Sequence, residues 1–430
     1  MTSWQHVGPA DLFDLAAIQD PDTLHVIVTS DVIHEGVRTI SLSFTSQEWH
    51  GTTWRHPARV YVPEHRTGHG CAGIVSTEAD LWTNPDHERA RVPETGRPTE
   101  AEYARATAVS LGIPVMIYAT PPDLGMNESD LNGYANRKLF ETGDFTWYGY
   151  YPIAVSHLRA AALLRSLPGL GAHRSVILGH SKRGLGAAIL TGLDTDLVAG
   201  IMTTGTNGMN MLEATTRKYA QLGPDVAGPS ARRGGLGFQT ADAQLRMFNN
   251  PLGFETIKRF DPYFWRESIT LPWFVVNGTN DPFFAVDVTQ TMRHAQGPTT
   301  VLAVDNVGHT WVSQKILEAW RMWLAHLAAG RAVPGLEVTA EREAGHLAVR
   351  LRACGPVTAA RLVTATNRGD DWRSVPWSTT TLAAVGPGRH EGLIALPEDD
   401  NLAWYVEAET GDPTGRGFVS NAVRIEHGAR

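Results

Sequence analysis

Cysteine is scarce in this chain. Among the 430 residues there are two cysteines, Cys71 and Cys354, which lie far apart in the sequence. A disulfide framework is therefore not indicated. We interpret both residues as buried free thiols, because an isolated cysteine commonly behaves as a small hydrophobic side chain.

Long apolar runs and clusters of positive charge are also missing. No stretch offers eighteen consecutive apolar residues, and the first twenty residues have neither a basic start nor a long apolar run. We therefore expect a cytoplasmic protein that does not contact a membrane. The formal net charge of −8 and the lack of a Lys/Arg-rich run argue against a nucleic-acid partner.

Cofactor and metal motifs are absent as well. The sequence has no Gly-x-x-x-x-Gly-Lys-Ser/Thr loop, no dinucleotide-binding fingerprint after a strand and no His-Glu-x-x-His pair. Histidines and carboxylates do not occur at the spacings that make a zinc site convincing. We expect no metal and no cofactor, and a small-molecule or peptide-like substrate as partner, with formation of a homo-oligomer left open.

The chain does contain a regular alternation of predicted strands and helices. Residues 24–62 predict an antiparallel meander, and the alternation that follows is typical of a parallel sheet covered by helices on both faces. Because 430 residues exceed the usual size of one core, we expect two domains. Residues 1–335 would form the first, with 205–260 as a cap or lid insertion. The short alternating strands of 336–430 predict a β-sandwich, similar to an immunoglobulin domain.

Three polar residues follow strands of the predicted sheet. Ser181 follows the predicted strand RSVILG and the intervening His180, Asp281 follows WFVVNG, and His309 follows TVLAVDN. The carboxyl ends of parallel strands are where functional loops converge. The order serine, acid, histidine is the one used in the α/β-hydrolase fold, with the serine as nucleophile, the histidine as base and the acid orienting the histidine.

Each of these residues also has a structural interpretation, and His309 is one of 17 histidines in the chain. Ser181 could cap the following helix, and Asp281 could close an Asx-turn, in which case Asp287 or Asp305 would be the acid. We expect His180 to be a packing or hydrogen-bonding neighbour with its side chain directed elsewhere.

The stretch around the serine, GHSKRG, departs from the usual Gly-x-Ser-x-Gly pattern. Arg183 stands where a glycine is expected, and Gly184 comes one residue later. A serine at such a turn places the next backbone N–H, that of Lys182, toward a developing oxyanion. We expect the second donor near Ser76 and Thr77, in the loop after an earlier strand.

Candidate substrate contacts lie at strand ends and in neighbouring loops, although each is equally well explained as a core aromatic or a turn residue: Tyr118, Trp147, Tyr148, Asn207 and Trp311. Three acidic residues, Glu78, Asp80 and Asp123, could recognise a cationic group or could simply be solvated loop carboxylates.

Six motifs resemble the PhoPQ-activated pathogenicity-related protein family, a branch of the α/β-hydrolases: TSQEW, WRHPARVYVP, YYPIAVSHLRAAALL, GHSKRG, FDPYFWRESITLPWFVVNGTNDPFFAVDV and VDNVGHTW. The resemblance implies nucleophile Ser181, acid Asp281 and base His309, and it makes the displaced glycine an expected feature. The elbow is also similar to that of glucuronoyl esterases, where the basic side chain after the serine is held to assist the oxyanion. That similarity implies the same role for Lys182.

The leading hypothesis is a serine hydrolase that cleaves an ester or amide through an acyl-enzyme. An acyltransferase or cyclising enzyme would use the same three residues with an alcohol or amine as acceptor. A binding protein on a hydrolase scaffold is the alternative from another class, because a fold does not determine a function.

Overall fold

The computed structural model describes residues 8–77, 100–120, 128–224, 240–412 and 415–428. The described α-helices are α1 Leu15–Gln19, α2 Glu100–Leu111, α3 Glu128–Thr142, α4 Tyr151–Ser166, α5 Lys182–Ile189, α6 Met211–Leu222, α7 Ala241–Phe248, α8 Pro251–Phe260 and α9 Gln314–Ala328. Short 3-10 helices cover Ala10–Leu12, Pro21–Leu24, Phe145–Trp147, Leu190–Gly192, Pro262–Trp265 and Val288–His294.

The strands fall into an amino-terminal and a carboxy-terminal group. The first group is β1 Ile27–His34, β2 Val37–Trp49, β3 Thr52–Pro63, β4 Cys71–Thr77, β5 Val115–Ala119, β6 Arg174–His180, β7 Val198–Thr204, β8 Trp273–Gly278 and β9 Thr299–Val304. The second is β10 Gly335–Glu343, β11 His346–Cys354, β12 Val357–Asn367, β13 Ser378–Thr381, β14 Ala383–Gly386, β15 Arg389–Ala395, β16 Asn401–Asp412, β17 Gly415–Ser420 and β18 Arg424–Glu426.

The central sheet confirms the predicted α/β architecture. Strands β1, β2 and β3 form an antiparallel meander, and β3 joins β5 in the antiparallel sense. From there the order β5-β4-β6-β7-β8-β9 is parallel throughout. The carboxyl ends of these six strands therefore lie along one edge, where the chain leaves each strand for the next connection.

Helices cover both faces of this sheet, which explains the apolar composition of its strands. One core cluster packs α4 and α5 against one face, and the other packs α2 and α9 against the opposite face. All residues of β4, β5 and β8 are buried. Strands buried on both faces are expected to be nearly continuous in hydrophobic residues instead of alternating.

The carboxy-terminal strands form two antiparallel layers. Strands β10, β11, β15 and β14 make one sheet, and β12, β13, β16, β17 and β18 make the other. Leucine, isoleucine, valine and tryptophan side chains from both layers share one core, as a sandwich requires. The second layer also continues the central sheet, because Ser420 of β17 pairs with Val301 of β9. The domain boundary near residue 335 and the extent of the insertion over 205–260 stay predictions, and residues 225–239 of that insertion lie outside the described residues.

Buried charges join the carboxy-terminal layer to the rest of the chain. The Glu407 carboxylate, with a side chain only 1% exposed, lies 2.6 Å from Lys315 Nζ of α9 and 3.3 Å from Arg361 on β12. Lys315 also lies 2.6 Å from Asp305. Burial alone would lower the pKa of Lys315, but Glu407 and Asp305 outweigh it and raise that pKa. Burying a charge costs several kcal/mol in lost solvation, and the paired carboxylates offset this cost.

The two cysteines differ in their surroundings. Both are free, as expected. Cys71 is buried in β4, and burial raises the pKa of its thiol to about 11. Cys354 is exposed at the end of β11, so the prediction that both thiols are buried is wrong for this residue. No helix among the described residues is long and apolar enough to cross a membrane.

Candidate active site

Ser181 occupies a sharp turn between β6 and α5. Its backbone has φ +55° and ψ −123°, a conformation that residues other than glycine rarely adopt. The Ser181 N–H donates to Thr204 O at 2.8 Å, which ties the turn to the end of the neighbouring strand. Strain of this kind persists where the surrounding structure enforces it, and it lifts the side chain above the edge of the sheet.

Two glycines explain the unusual pattern GHSKRG. A Cβ at Gly179 would lie 2.6 Å from Arg183 O, and a Cβ at Gly184 would lie 2.7 Å from Gly179 O and 2.6 Å from Thr206 Cγ2. Real Cβ atoms do not tolerate such distances. Gly184 lies three residues after Ser181, whereas the usual pattern has its glycine two residues after the serine. This glycine permits the close approach of α5 to β6.

The capping interpretation of Ser181 does not hold for the described residues. Its side chain makes no capping hydrogen bond to the helix that it precedes. The hydroxyl is therefore not committed to the role that serines commonly have at this position.

Asp281 and His309 form a short hydrogen bond at the ends of β8 and β9. His309 Nδ1 donates to Asp281 Oδ2 at 2.7 Å, and the side chains are 16% and 2% exposed. The other oxygen, Oδ1, accepts from the N–H of Phe283 at 2.8 Å. Asp281 thus closes a local turn and also orients the histidine, so both interpretations of this residue apply. With its proton on Nδ1, a neutral imidazole keeps an unprotonated Nε2.

His180 and Gly205 connect the turn at Ser181 with the His309 ring. The ring of His180, which precedes Ser181, lies 4.5 Å from the His309 ring between centroids. A Cβ at Gly205 would lie 2.9 Å from Cε1 of each histidine. We expected the His180 side chain to point elsewhere, but it packs on His309. Burial holds the pKa of His180 well below its ordinary value, and the nearby His309 acts in the same direction, so this neighbour stays neutral.

The residues expected to bind an oxyanion lie on two elements, Lys182 at the start of α5 and Ser76 and Thr77 at the end of β4. Lys182 begins α5, where the first N–H groups have no acceptor within the helix. Its Nζ lies 3.9 Å from Glu128 Oε2 of α3. The hydroxyls of Ser76 and Thr77, at the end of β4, donate to Leu178 O and to the Glu100 carboxylate. Any oxyanion contact from the β4 end would therefore come from the backbone.

Three of the five residues expected to contact a substrate lie in the core instead. Tyr118 donates to His157 Nδ1 at 2.7 Å, Tyr148 stacks on Phe260, and Trp311 donates to Glu100 Oε1 at 2.8 Å. All three are buried. These contacts and this burial favour the interpretation of all three residues as core aromatics, and their contact with a substrate stays a prediction.

The remaining candidates are partly accessible. Trp147 stacks on His50 with ring centroids 3.6 Å apart, at the edge of an aromatic cluster next to α3. Asn207 accepts from Thr291 through its backbone oxygen, and within the described part of the chain no donor reaches its buried Oδ1. Glu78, Asp80 and Asp123 lie outside the described residues.

The two alternative acids are engaged elsewhere. Asp287 pairs with Arg217 and accepts from Gln221 at 2.7 Å. Asp305 pairs with Lys315. Asp281 is thus the acid that the structure brings to His309.

Lys218 is a functional candidate that sequence reasoning missed. It lies on the buried side of α6 together with Ala214 and Thr215. Burial lowers the pKa of its ammonium group to about 8, although the nearby Asp281 carboxylate acts in the opposite direction. The sequence signal that could have identified Lys218 is a lysine on the apolar side of a helix within the insertion.

A second serine–histidine pair lies in the core. His56 Nε2 and Ser46 Oγ are 2.8 Å apart, and His56 Nδ1 donates to Ala119 O at 2.7 Å. Burial lowers the pKa of His56 to about 4. Ser156 joins this network, so three of the motifs that carry the family resemblance meet here. The pair stabilises the packing of β2 and β3 against α4.

A metal site does not emerge from the described residues. Among them, no three or more histidine, cysteine, aspartate or glutamate side chains come together in a group that could hold an ion.

The parallel sheet, the strained serine turn after β6 and the acid and histidine after β8 and β9 define an α/β-hydrolase fold. The sequence profile of the PhoPQ-activated pathogenicity-related protein family matches residues 16–373. The chain therefore belongs to the PhoPQ-activated pathogenicity-related protein family, which confirms the resemblance seen in its motifs.

Several solved structures are similar to this chain at low identity. The glucuronoyl esterase from Solibacter usitatus is 13% identical with a TM-score of 0.49, covering 76% of this chain and 96% of that protein. Acetyl xylan esterase 1 from Thermoanaerobacterium sp. JW/SL YS485 is 12% identical with a TM-score of 0.48, covering 75% and 95%. Candida antarctica lipase A in its closed state is 11% identical with a TM-score of 0.45, covering 73% and 84%. No curated protein matches the chain in sequence.

Gly184→Ala tests the explanation of the displaced glycine. We expect a lower melting temperature, because overpacking against Gly179 and Thr206 costs about 1–3 kcal/mol, more than the ~1 kcal/mol that alanine gains in a helix. Thermal unfolding measures the change. Gly369→Ala is the control, since a Cβ there meets nothing within 4 Å. Equal stability of the two variants would contradict the explanation.

Lys218→Met tests the buried ammonium group through the pH dependence of stability. The folded pKa of about 8 lies below the ordinary lysine value of 10.5. Between these values the unfolded chain binds the extra proton, so the stability of the wild type rises with pH in this window. At pH 7 we expect Lys218→Met to have a higher free energy of unfolding than the wild type, because the variant buries no charge. This difference should decrease by about 2–3 kcal/mol toward pH 10.

Urea unfolding at both pH values measures this difference. Lys138→Met, on the exposed side of α3, is the control and should show no such convergence. A constant difference between the wild type and Lys218→Met would mean that Lys218 keeps its proton throughout.

Proposed function

We propose that the protein is a serine hydrolase that cleaves an ester or amide bond through an acyl-enzyme intermediate. The observation that carries the proposal is the 2.7 Å hydrogen bond between His309 and Asp281, next to a serine turn with φ +55°. A serine hydroxyl is a weak nucleophile until an oriented imidazole removes its proton. The positions of Ser181, Asp281 and His309 after β6, β8 and β9 support the proposal.

The proposed reaction has two halves. Ser181 Oγ attacks the substrate carbonyl carbon while its proton passes to His309 Nε2, and Asp281 stabilises the resulting imidazolium. The tetrahedral intermediate collapses when the leaving alcohol or amine takes that proton. Water then attacks the acyl-enzyme with the same histidine as base, which releases the acid and restores the serine.

Oxyanion stabilisation is assigned to the backbone N–H of Lys182 and to the backbone near Ser76 and Thr77. The Lys182 ammonium group adds positive charge beside the developing oxyanion. Its distance of 3.9 Å from Glu128 leaves it only loosely held, so it remains available to a negative charge at the serine. Fixed charge in a site that excludes water favours the transition state more than it would in solution.

Asn207 is the substrate contact that the geometry favours among the five candidates. Its Oδ1 is buried, and a substrate N–H or O–H would supply the donor that the described residues do not. We propose an ester or amide substrate that carries such a donor. A panel of short acyl esters, aminoacyl amides and uronate esters would separate the substrate classes.

Ser181→Ala tests the nucleophile directly. We expect a fluorophosphonate probe to label the wild type and not this variant, because the probe needs an activated serine hydroxyl. Hydrolysis of a short aryl ester should fall by about 10³-fold or more. The labelled residue is identified by mass spectrometry of the digested protein.

Ser46→Ala is the matched control for this experiment. Ser46 also lies beside a histidine, but its pair is buried and the His56 Nδ1 bonds to a backbone oxygen instead of a carboxylate. Labelling should therefore persist in Ser46→Ala. A wild type that is never labelled, or is labelled at Ser46, would overturn the proposal.

Lys182→Met tests the side chain separately from its N–H. The substitution keeps the backbone donor and removes the charge. We expect kcat to fall by about 10- to 100-fold with little change in KM, because the ammonium acts on charge that develops in the transition state. Steady-state kinetics with the substrate used for Ser181→Ala measures both. An unchanged kcat would restrict the role of Lys182 to its backbone.

A further inference from the structure

The loop that carries Asp281 is attached to a segment of the carboxy-terminal region. Asn280 directly precedes the acid, and its side-chain amide faces three backbone oxygens at 3.3, 3.2 and 2.9 Å, those of Trp372, Arg373 and Val375. We call residues 372–377 the clamp segment. An amide N–H group surrounded by carbonyl oxygens is held in direction as well as in distance.

The loop that carries His309 is attached to the same segment. Asn306 Nδ2 donates to Trp377 O at 3.1 Å, and Asn306 Oδ1 accepts from the Trp377 N–H at 2.9 Å. The side-chain amide of Asn306 therefore makes the same donor and acceptor pair with Trp377 that a backbone amide makes between antiparallel strands. Its backbone has φ +56°, a conformation that asparagine tolerates better than most residues.

A threonine joins the two attachments. Thr279 Oγ1 lies 2.8 Å from Asn280 Oδ1 and accepts the Asn306 N–H at 3.0 Å. The Asn280 N–H also donates to Val307 O at 3.0 Å. The acid loop, the histidine loop and the clamp segment therefore form one hydrogen-bonded unit, in which a shift of one member is transmitted to the others.

The clamp segment is itself fixed by its tryptophans. Trp372 and Trp377 are buried in an apolar cluster that includes Val286, just beyond the acid loop, and Ala303 of β9. Moving the segment would open this cluster to water, which is unfavourable in proportion to the apolar area exposed. The carboxy-terminal region thus supplies a rigid reference for both loops.

We propose that Asn280 and Asn306 are positioning residues that hold Asp281 and His309 in register through the clamp segment. This inference rests on the proposed function and gives the carboxy-terminal region a part in it. Neither asparagine touches the substrate. Proton transfer between serine and histidine requires alignment within a fraction of an ångström, which loops alone rarely maintain without support from a second layer of contacts.

Two variants remove the attachments with little other change. Asn280→Ala deletes the amide in the acid loop. Asn306→Gly deletes the amide in the histidine loop and still accepts φ +56°, so it separates the side chain from the backbone conformation. Asn421→Ala is the control, because Asn421 makes the same kind of side-chain bonds to Val406 and Ala422 within the carboxy-terminal strands.

We expect kcat for a short aryl ester to fall by about 10- to 100-fold in Asn280→Ala and Asn306→Gly, with KM nearly unchanged. Asn421→Ala should keep the wild-type kcat at a similar melting temperature. A general loss of folded protein would lower all three variants together. Wild-type kcat in both Asn280→Ala and Asn306→Gly would overturn the proposal.

A second measurement does not depend on activity. The low-field proton NMR signal of His309 Nδ1–H, assigned through its loss in His309→Gln, reports the bond to Asp281. We expect this signal in the wild type, Ser181→Ala and Asn421→Ala, and its loss or broadening in the two clamp variants. An unchanged signal in the clamp variants, or no signal in the wild type, would overturn the positioning role. If the wild type shows the signal but is never labelled, the proposed function fails and the clamp is still tested.

Discussion

The hydrogen bond between His309 and Asp281 is the constraint around which the site is arranged. It joins loops that follow neighbouring parallel strands, β8 and β9, so it requires these strands to be in register at their carboxyl ends. The Asp281 side chain is almost fully buried, and its two oxygens accept from His309 and from the Phe283 N–H. A buried carboxylate without such partners would be strongly unfavourable. The fold therefore has to place His309 and the Phe283 N–H at Asp281 together.

The serine turn meets this pair through close backbone packing. Gly179 and Gly184 let α5 approach β6, and Arg183, which directly precedes the second glycine, is buried. The Arg183 oxygen accepts from His157 Nε2 at 2.9 Å, and Tyr118 donates to the other nitrogen of His157. Burial lowers the pKa of His157 to about 4, so this histidine remains a neutral link between α4 and the turn. The shift of the glycine by one residue accommodates this arrangement.

The carboxy-terminal strands are joined to the central sheet, to α9 and to the loops of the candidate site. One of their layers extends the central sheet beyond β9, the Glu407 carboxylate binds Lys315 of α9, and the clamp segment contacts the two loops that carry the acid and the histidine. Hydrogen bonds, buried charges and an apolar cluster thus join the carboxy-terminal strands to the rest of the chain. Fixing loops against a rigid neighbour is a common physical solution where a site needs precise alignment.

Much of the fold and the core of the candidate site could be predicted from the sequence. Strand and helix alternation, the antiparallel meander and the six motifs indicated the α/β-hydrolase fold and the family, because these features depend on local periodicity and on residue order. The positions of Ser181, Asp281 and His309 after their strands follow from the same order. The pocket was predicted poorly, since an aromatic residue at a strand end can face either solvent or the core, and packing decided that Tyr118, Tyr148 and Trp311 are buried.

By itself, the sequence determined the order of the elements and the residue types available at each strand end. Tertiary structure alone decided the contacts that this order does not predict. The Asp281 carboxylate acts on the charge of the buried Lys218. Asn280 and Asn306 reach residues 372–377 across about 90 and 70 positions of chain, which leave no local pattern. Contacts of this kind depend on how separate layers dock, and docking is governed by the shape and burial of whole surfaces, which no short stretch of sequence encodes.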